Sequence, residues 1–338
     1  MQKLWIGIGL LVLVSCESAE NRKQRFFQLG NQALSNRNFE NAVQYFTQSL
    51  KEDANFVDAL NNRGVAQMEL DRPYEAILDY NKALAINTSF IDALFNRAYA
   101  YEAIGQFDNA LEDTESLLRL KPDSAFVHFY QGLVLTKSRE YDKAYTSFEK
   151  ADALDPFNPE TLVNLATIHY FKGQLDSATA IIDQAVALQP DNANAFNLLS
   201  LIALEKAKHL EALIEVNRAL DEVPGEPYFL NNRGYIYLEM DSLELAIEDI
   251  NRSIVLNPEN GWAYRNKGIY HLKRGDNELA RNLFERALRT GDFIDEIYYY
   301  LGITHENDQA REKACTAWKK GAELNELKSL SMVRQNCP

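Results

Sequence analysis

The chain has 338 residues and a formal net charge of −14, from 35 Lys and Arg against 49 Asp and Glu. This charge is the wrong sign for binding nucleic acid, where clustered cations must displace counterions from phosphates, and attachment to an anionic membrane would need an anchor rather than a basic patch. A hydrophobic content of 46% argues against disorder, and only 15 Gly and 9 Pro fit a mostly helical protein.

The first sixteen residues have the layout of an export signal. Lys3 precedes an apolar run over residues 4–14, which is shorter than the about 20 residues that span a bilayer. Leu13, Ser15 and Cys16 resemble the lipobox of bacterial lipoproteins. The resemblance implies removal of residues 1–15, a lipid on Cys16 and an exported lipoprotein, with the outer membrane as the expected location. An ordinary cleaved signal with an incidental cysteine is the alternative.

From residue 23 onward the sequence repeats every 34 residues, nine times without an insertion. The repeats start at Lys23, Val57, Ile91, Ala125, Pro159, Ala193, Pro227, Gly261 and Asp295. Position 8 of every repeat is small, position 20 is alanine in all nine, and position 32 is proline in five consecutive repeats. Residues 16–22 then form a short tether, which spans at most roughly 25 Å and would keep the repeats close to the bilayer.

These positions predict that each repeat is a pair of helices. Small side chains at positions 8 and 20 let two helices approach closely, and proline at position 32 ends the second helix. Gly105, Gly173 and Gly275 fall at position 15, between the two helices, where a left-handed residue is favoured.

The pattern resembles the tetratricopeptide repeat, over residues 23–326. The resemblance implies an all-α fold, a right-handed α-solenoid of nine helical hairpins whose first helices line a concave face. Residues 327–338 would add a C-terminal capping helix. Position 32 departs from proline in the first two and last two repeats, at Ala54, Thr88, Asp292 and Glu326, as expected for terminal repeats that face solvent.

Little in the sequence points to catalysis. His169, His271 and His305 share position 11, which could indicate a metal ladder. Neighbouring helices lie about 8–10 Å apart, however, so equivalent positions of successive repeats are poor co-ligands for one ion. We interpret them as core histidines and predict no metal, no cofactor and no enzymatic activity.

Two cysteines remain after Cys16, namely Cys315 and Cys337. They would pair if the C-terminal tail packs on the second helix of repeat nine, and an oxidising compartment would preserve the bond. The sequence around Cys315 resembles the C-terminal end of other exported tetratricopeptide proteins, which supports the pairing. Two free thiols are the alternative.

Function is expected on the concave face, because ligands of this family usually contact positions 2, 5, 9, 12 and 13. One candidate group spans repeats three to five: Phe95, Tyr99, Phe126, Phe129, Tyr170 and Phe171. The other spans repeats seven to nine: Tyr228, Asn231, Tyr235, Trp262, Arg265 and Tyr299. Aromatic grooves suit extended or helical peptides, and Trp and Arg are enriched at interface hot spots. These rings could instead fill the core between repeats.

The leading hypothesis is a membrane-tethered, non-catalytic scaffold that binds a protein or peptide partner as part of an envelope complex. A binding protein for a small extracellular glycan or peptide is the alternative. The family's basic carboxylate clamp is not supported, because only Arg265 is basic at position 5 and Ile269 follows at position 9. We expect Asn62, Asn232 and Asn266 to form hydrogen bonds between repeats.

Overall fold

The structure is a computed structural model of the chain, and it describes residues 18–291 and 294–337. The described residues form nineteen α-helices and no strand, which confirms the all-α prediction. Among them, no helix is both long and apolar enough to cross a bilayer. Cys16, the signal segment before it, and Asp292 lie outside the described residues.

The helices group into two compact units, and the first ends at Pro156. Its helices are α1 (Ala19–Ser35), α2 (Phe39–Glu52), α3 (Val57–Met68), α4 (Pro73–Ile86), α5 (Ile91–Ala103), α6 (Phe107–Leu120), α7 (Ala125–Lys137) and α8 (Tyr141–Leu154). The second unit contains α9 (Pro159–Phe171), α10 (Leu175–Leu188), α11 (Ala193–Glu205), α12 (His209–Glu222), α13 (Pro227–Glu239), α14 (Leu243–Leu256), α15 (Gly261–Lys273), α16 (Asn277–Leu288), α17 (Ile297–Asn307), α18 (Arg311–Glu323) and α19 (Leu327–Asn336).

Seven helices, the odd-numbered ones from α3 to α15, begin at the first residue of a repeat as read from the sequence. The two outer repeats differ. Helix α1 begins at Ala19, with the Ser18 hydroxyl accepting from the Asn21 N–H at 3.1 Å, so most of the segment expected to be a tether is the start of a helix. Helix α17 begins at Ile297, two residues after the repeat start.

Every turn inside a hairpin places its position-15 residue in the left-handed region. Three of these residues are the predicted glycines, with φ between 70° and 82°. The other six are Arg37, Asp71, Arg139, Ala207, Asp241 and Gln309. A residue with a Cβ pays about 1–2 kcal/mol in this conformation, so the repeat geometry imposes it even where the sequence does not favour it.

Close contact between the two helices of a hairpin explains the small residues. All nine position-20 alanines are fully buried. At position 8 the glycines lie directly against the side chain at position 24, which is a ring in every case except Ile250 opposite Gly234: a Cβ added to Gly30 would lie 2.5 Å from the Phe46 ring, and one added to Gly132 would lie 2.6 Å from the Phe148 ring. The bulky residue at position 24 therefore fills the space that position 8 leaves empty.

Within each unit, the first helices of neighbouring hairpins lie close to one another, as α3 does to α5 and α13 to α15. The second helices, such as α4 and α14, pack on the first helices of their own and the next hairpin. The first helices therefore form the inner face of each unit, and the second helices form its outer face.

Candidate functional site

In the first unit, the predicted inner-face aromatics split into buried and exposed rings. Phe95 packs between Phe126 and Tyr130, with ring centroids 5.2 Å and 5.0 Å away. Phe129 packs edge-on against Phe148 of the hairpin core at 5.7 Å. Tyr99 and Phe126 are 53% and 59% exposed. We call Tyr99, Phe126 and the supporting Phe95 the first-unit aromatic patch.

A charged group borders this patch. The Tyr130 hydroxyl donates to Glu102 Oε2 at 2.8 Å, and Lys137 pairs with the other carboxylate oxygen. Burial raises the pKa of the Tyr130 phenol, and the Glu102 carboxylate raises it further, so the hydroxyl keeps its proton and remains a donor. The arrangement fixes Glu102 in place beside the patch.

Three further carboxylates lie on the same inner-face positions of the first unit. Asp58 and Asp92 occupy position 2 of successive repeats, and Glu69 occupies position 13. All three are exposed. The inner face of this unit therefore carries exposed carboxylates as well as the aromatic patch.

In the second unit, Tyr170 and Phe171 lie at the end of α9, with ring centroids 5.6 Å apart. Phe171 is exposed, whereas Tyr170 is half-buried and burial raises the pKa of its phenol, with Glu205 adding to the effect. Phe171 therefore offers surface to a partner, and Tyr170 offers less.

Arg265 does not offer a surface to a partner. It is 5% exposed, and its guanidinium carbon lies 5.0 Å from the Tyr235 ring centroid, 5.3 Å from that of Trp262 and 5.6 Å from that of Tyr300. Its Nη2 donates to Glu296 Oε2 at 3.2 Å, while its Nε has no partner among the described residues. Arg265 thus holds three rings and a carboxylate together inside the unit, which differs from the hot-spot role expected from its position.

The carboxylate of Glu296 joins this group to the C-terminal helix. Glu296 adopts a left-handed backbone, with φ 61°, just before α17. Its other cation partner is Lys328 of α19, whose Nζ lies 2.7 Å from Oε1 and 5.6 Å from the Tyr299 ring centroid. The sequence does not predict that Tyr300, Glu296 and Lys328 join this group. The one signal it offers is the charged residue Glu296 at position 2 of repeat nine, a position expected on the inner face.

Asn231 is also buried, at 3% exposure, and belongs to a series of asparagine contacts between repeats. Position 6 of one repeat donates from its side-chain nitrogen to the side-chain oxygen at position 5 of the preceding repeat. The contacts are Asn96 to Asn61 at 2.9 Å, Asn232 to Asn197 at 2.8 Å, and Asn266 to Asn231 at 2.8 Å. Asn62 donates to Asn31, at position 9 of the preceding repeat, at 2.8 Å. Asn62, Asn232 and Asn266 therefore link repeats through hydrogen bonds.

The remaining candidates of the second group lie at different depths. Tyr228 is exposed at the start of α13, whereas Trp262, Tyr235 and Tyr299 are half-buried. Burial raises the pKa of Tyr235, with the charges of Arg265 and Lys328 acting in the opposite direction. Within this second candidate group, Tyr228 is therefore the exposed ring, and the other three rings are packed.

The three position-11 histidines are half-buried, and two of them contact the turn that follows. His169 Nδ1 lies 2.6 Å from Gln174 Oε1, and His271 Nδ1 lies 3.3 Å from Asp276 Oδ2. Burial lowers the pKa of His305. Across residues 18–291 and 294–337, no group of three His, Cys, Asp or Glu side chains is placed to hold a metal ion.

The C-terminal helix is attached in two ways. A disulfide joins Cys315 of α18 to Cys337 after α19, with the Cα atoms 5.6 Å apart. The buried Glu326 carboxylate accepts from the backbone N–H groups of Tyr298 and Tyr299 at 3.2 Å and 3.0 Å. Because Glu326 replaces the position-32 proline, this departure from the repeat pattern caps the first turn of α17.

Comparison with known proteins agrees with this architecture. Models of the tetratricopeptide repeat match residues 57–90, 95–159, 135–202, 227–260 and 265–321. No curated protein matches the sequence.

Similar solved structures share the fold at low identity. A chain of the APC/C hetero-tetramer Cut9–Hcn1 is 15% identical, with 85% of this chain and 55% of that one covered and a TM-score of 0.59. PilF of Pseudomonas aeruginosa is 21% identical, with 66% and 98% covered and a TM-score of 0.52. A tetratricopeptide repeat protein of Parabacteroides merdae is 18% identical, with 84% and 98% covered and a TM-score of 0.50. With its repeat positions, hairpins and family matches in agreement, the chain belongs to the tetratricopeptide repeat family.

Proposed function

We propose that this protein is a non-catalytic adaptor that holds a partner protein along the inner face of its first unit. Protein interaction is what the repeat family supports. The first-unit aromatic patch carries the finer proposal, because Tyr99 and Phe126 stay more than half exposed while Phe95 packs against the Phe126 ring. Rigid exposed rings supply large contact area at a small cost in side-chain entropy.

The charge around the patch favours one class of partner. The same inner face carries the exposed carboxylates Asp58, Glu69 and Asp92, and none of them forms an ion pair within the described ranges. A segment that carries Lys or Arg next to an apolar residue would find both a carboxylate and a ring there. The partner segment is therefore basic and apolar in composition.

The proposal places the protein at a bacterial membrane, tethered by lipid on Cys16, as a subunit or assembly factor of an envelope complex. Its support is the lipobox-like run that ends at Cys16 and the early start of α1 at Ala19, which leaves only a few residues between anchor and first hairpin. One similar fold, Cut9–Hcn1, is itself part of a hetero-tetramer.

The test is chemical cross-linking in the native envelope, followed by detergent extraction, capture of this chain and mass spectrometry. The proposal expects one stoichiometric protein partner with cross-links to α3, α5 or α7, and a diacylglycerol mass on the peptide that contains Cys16. Cross-links confined to the second helices would contradict the inner-face site. Stabilisation of the purified protein by a soluble glycan, with no protein partner, would favour a ligand-binding protein instead.

A further inference from the structure

The outer side of the second unit contains a pocket that the repeat pattern does not predict. It has a volume of about 310 Å³ and lies between the fifth and sixth hairpins. Leu199, Ile202, Ala203 and Ile214 form its apolar part, and Thr179 closes it from α10. This volume is at the lower end of ligand sites and suits one side chain better than a larger molecule.

The pocket exists because position 11 of repeat six is alanine. The same position holds a ring in five other repeats, at Tyr101, His169, Tyr237, His271 and His305. Among the repeats that have a preceding neighbour, repeat six is the one with alanine at this position, Ala203.

Tyr101 shows how repeat three fills the space that is open as a pocket in repeat six. Its side chain packs against the buried cluster of Ala76, Ile77, Tyr80 and Ala100, and its ring centroid lies 5.8 Å from the Arg97 guanidinium. Among these residues, Ile77 is position 21 of the preceding repeat, and Ala100 and Arg97 are positions 10 and 7 of the same repeat as Tyr101. At repeat six the same three positions are the pocket residues Thr179, Ile202 and Leu199. The pocket is therefore an aromatic slot that lacks its ring.

The mouth of the pocket is suited to a protein surface. Ile214 of α12 lines the pocket and is 58% exposed, and Leu210, one turn earlier on the same helix, is 69% exposed. The nearby cations are already paired, Lys206 with Asp176 at 2.9 Å and Lys208 with Glu211 at 2.9 Å. The Thr179 hydroxyl donates to the Leu175 carbonyl at 2.8 Å. A side chain that enters the pocket therefore contacts apolar residues inside it and lysines at its mouth whose charges are already paired.

We propose that this pocket receives an aromatic side chain, tyrosine or phenylalanine, from a partner protein that docks on the outer face of the fifth and sixth hairpins. The partner's ring would take the place that Tyr101 and Tyr237 occupy in their own repeats. The exposed Leu210 and Ile214 would pack against the apolar residues that flank it. This site is independent of the inner-face patch, which lies in the other unit.

The test uses p-cresol, the side-chain analogue of tyrosine, and saturation-transfer NMR on the purified full chain. A ligand of this size binds with a Kd of about 1 mM when its ring is enclosed. Ala203→Tyr supplies the missing ring from within, so it should weaken p-cresol binding at least tenfold. Ala203→Ser leaves the volume open and should bind as the wild type does. All three proteins are compared in one buffer, so nonspecific binding of p-cresol to detergent or to other protein surfaces is the same for each.

Equal p-cresol signals from all three proteins would overturn the proposal. Equal binding of 4-methylcyclohexanol would also overturn it, since the slot would then accept any apolar group. If the wild type self-associates and p-cresol disrupts that association, the partner is a second copy of this chain and the proposal of a different partner protein is wrong. If Ala203→Tyr fails to fold by circular dichroism, Ala203→Leu fills the same space and takes its place.

Discussion

Arg63 holds Asp79 through two parallel hydrogen bonds, at 2.7 Å from Nε to Oδ2 and at 2.6 Å from Nη2 to Oδ1. Positions 7 and 23 of one hairpin are thereby joined, and the same pair recurs as Arg97–Asp113 and Arg233–Asp249. In repeat four the pair becomes Gln131 and Ser147, whose hydroxyl donates at 3.0 Å, and repeat five has Leu165 and Ile181 at these positions. In these five repeats the two positions change together, from charged to polar to apolar, whereas Leu199 with Glu215 in repeat six and Lys267 with Leu283 in repeat eight are unmatched.

This relationship predicts the outcome of exchanging one repeat's pair for another's. Arg63→Leu leaves the buried Asp79 carboxylate unpaired and should lower the free energy of unfolding by about 3–5 kcal/mol. The double variant Arg63→Leu/Asp79→Ile copies repeat five and should recover most of that loss. Urea unfolding followed by circular dichroism measures both. A double variant as unstable as the single one would show that the pairing does not govern these positions.

The left-handed turns predict opposite effects of glycine and alanine at position 15. Ala207→Gly removes the strain of a Cβ at φ 56° and should raise the free energy of unfolding by up to about 1 kcal/mol, after the extra entropy of the unfolded chain is subtracted. Gly173→Ala, at φ 70° in the preceding repeat, should lower it by about 1 kcal/mol. Shifts of the same sign in the two variants' unfolding midpoints would be inconsistent with this account.

The buried Glu326 predicts a pH dependence of the C-terminal helix. Desolvation by burial raises the pKa of this carboxyl, outweighing the hydrogen bonds from Ser329, Tyr298 and Tyr299, which lower it. The folded state therefore binds a proton more tightly than the unfolded state does. Its contribution to stability is fully present below the ordinary glutamate pKa and is lost as pH rises through the raised value.

Glu326→Gln should abolish that part of the pH dependence, because the amide does not ionise. The difference in stability between wild type and variant, measured by thermal unfolding from pH 4 to 7, isolates it from the other carboxyls. The wild type should lose stability relative to the variant as pH rises. A difference that stays constant over this range would show that Glu326 does not titrate as described.

The disulfide predicts that reduction loosens the C-terminal helix. Cys315 and Cys337 are separated by 22 residues, and opening a loop of this length restores about 3 kcal/mol of chain entropy to the unfolded state. Amide hydrogen exchange in α19 should speed up on reduction or in Cys337→Ser, while exchange in α3 to α7 stays unchanged. Two reactive thiols in the denatured, unreduced protein would contradict the bond.

The repeat pattern predicted the hairpins because positions 8, 15, 20 and 32 act within one repeat. Burial of candidate site residues was harder to foresee, since it depends on neighbours 30 or more residues away. Arg265 and Asn231 occupy positions where family members meet ligands, yet Glu296 and Asn266 of the next repeat cover them here. In the sequence Glu326 is visible only as a departure from proline, because its capping role depends on backbone N–H groups of α17. Tyr99 and Phe126 remain more than half exposed, although Phe95 packs against one side of the Phe126 ring.

The central claim is that the first-unit aromatic patch binds a partner, and quantitative cross-linking capture in the native envelope tests it most directly. Three forms of the protein are compared: wild type, Tyr99→Ser/Phe126→Ser, and the control Tyr74→Ser/Leu78→Ser, which removes two equally exposed apolar groups from α4 on the outer face. The account predicts that the inner-face variant captures at least tenfold less partner than the wild type, while the control variant captures as much as the wild type. Equal capture by all three folded proteins would contradict the claim.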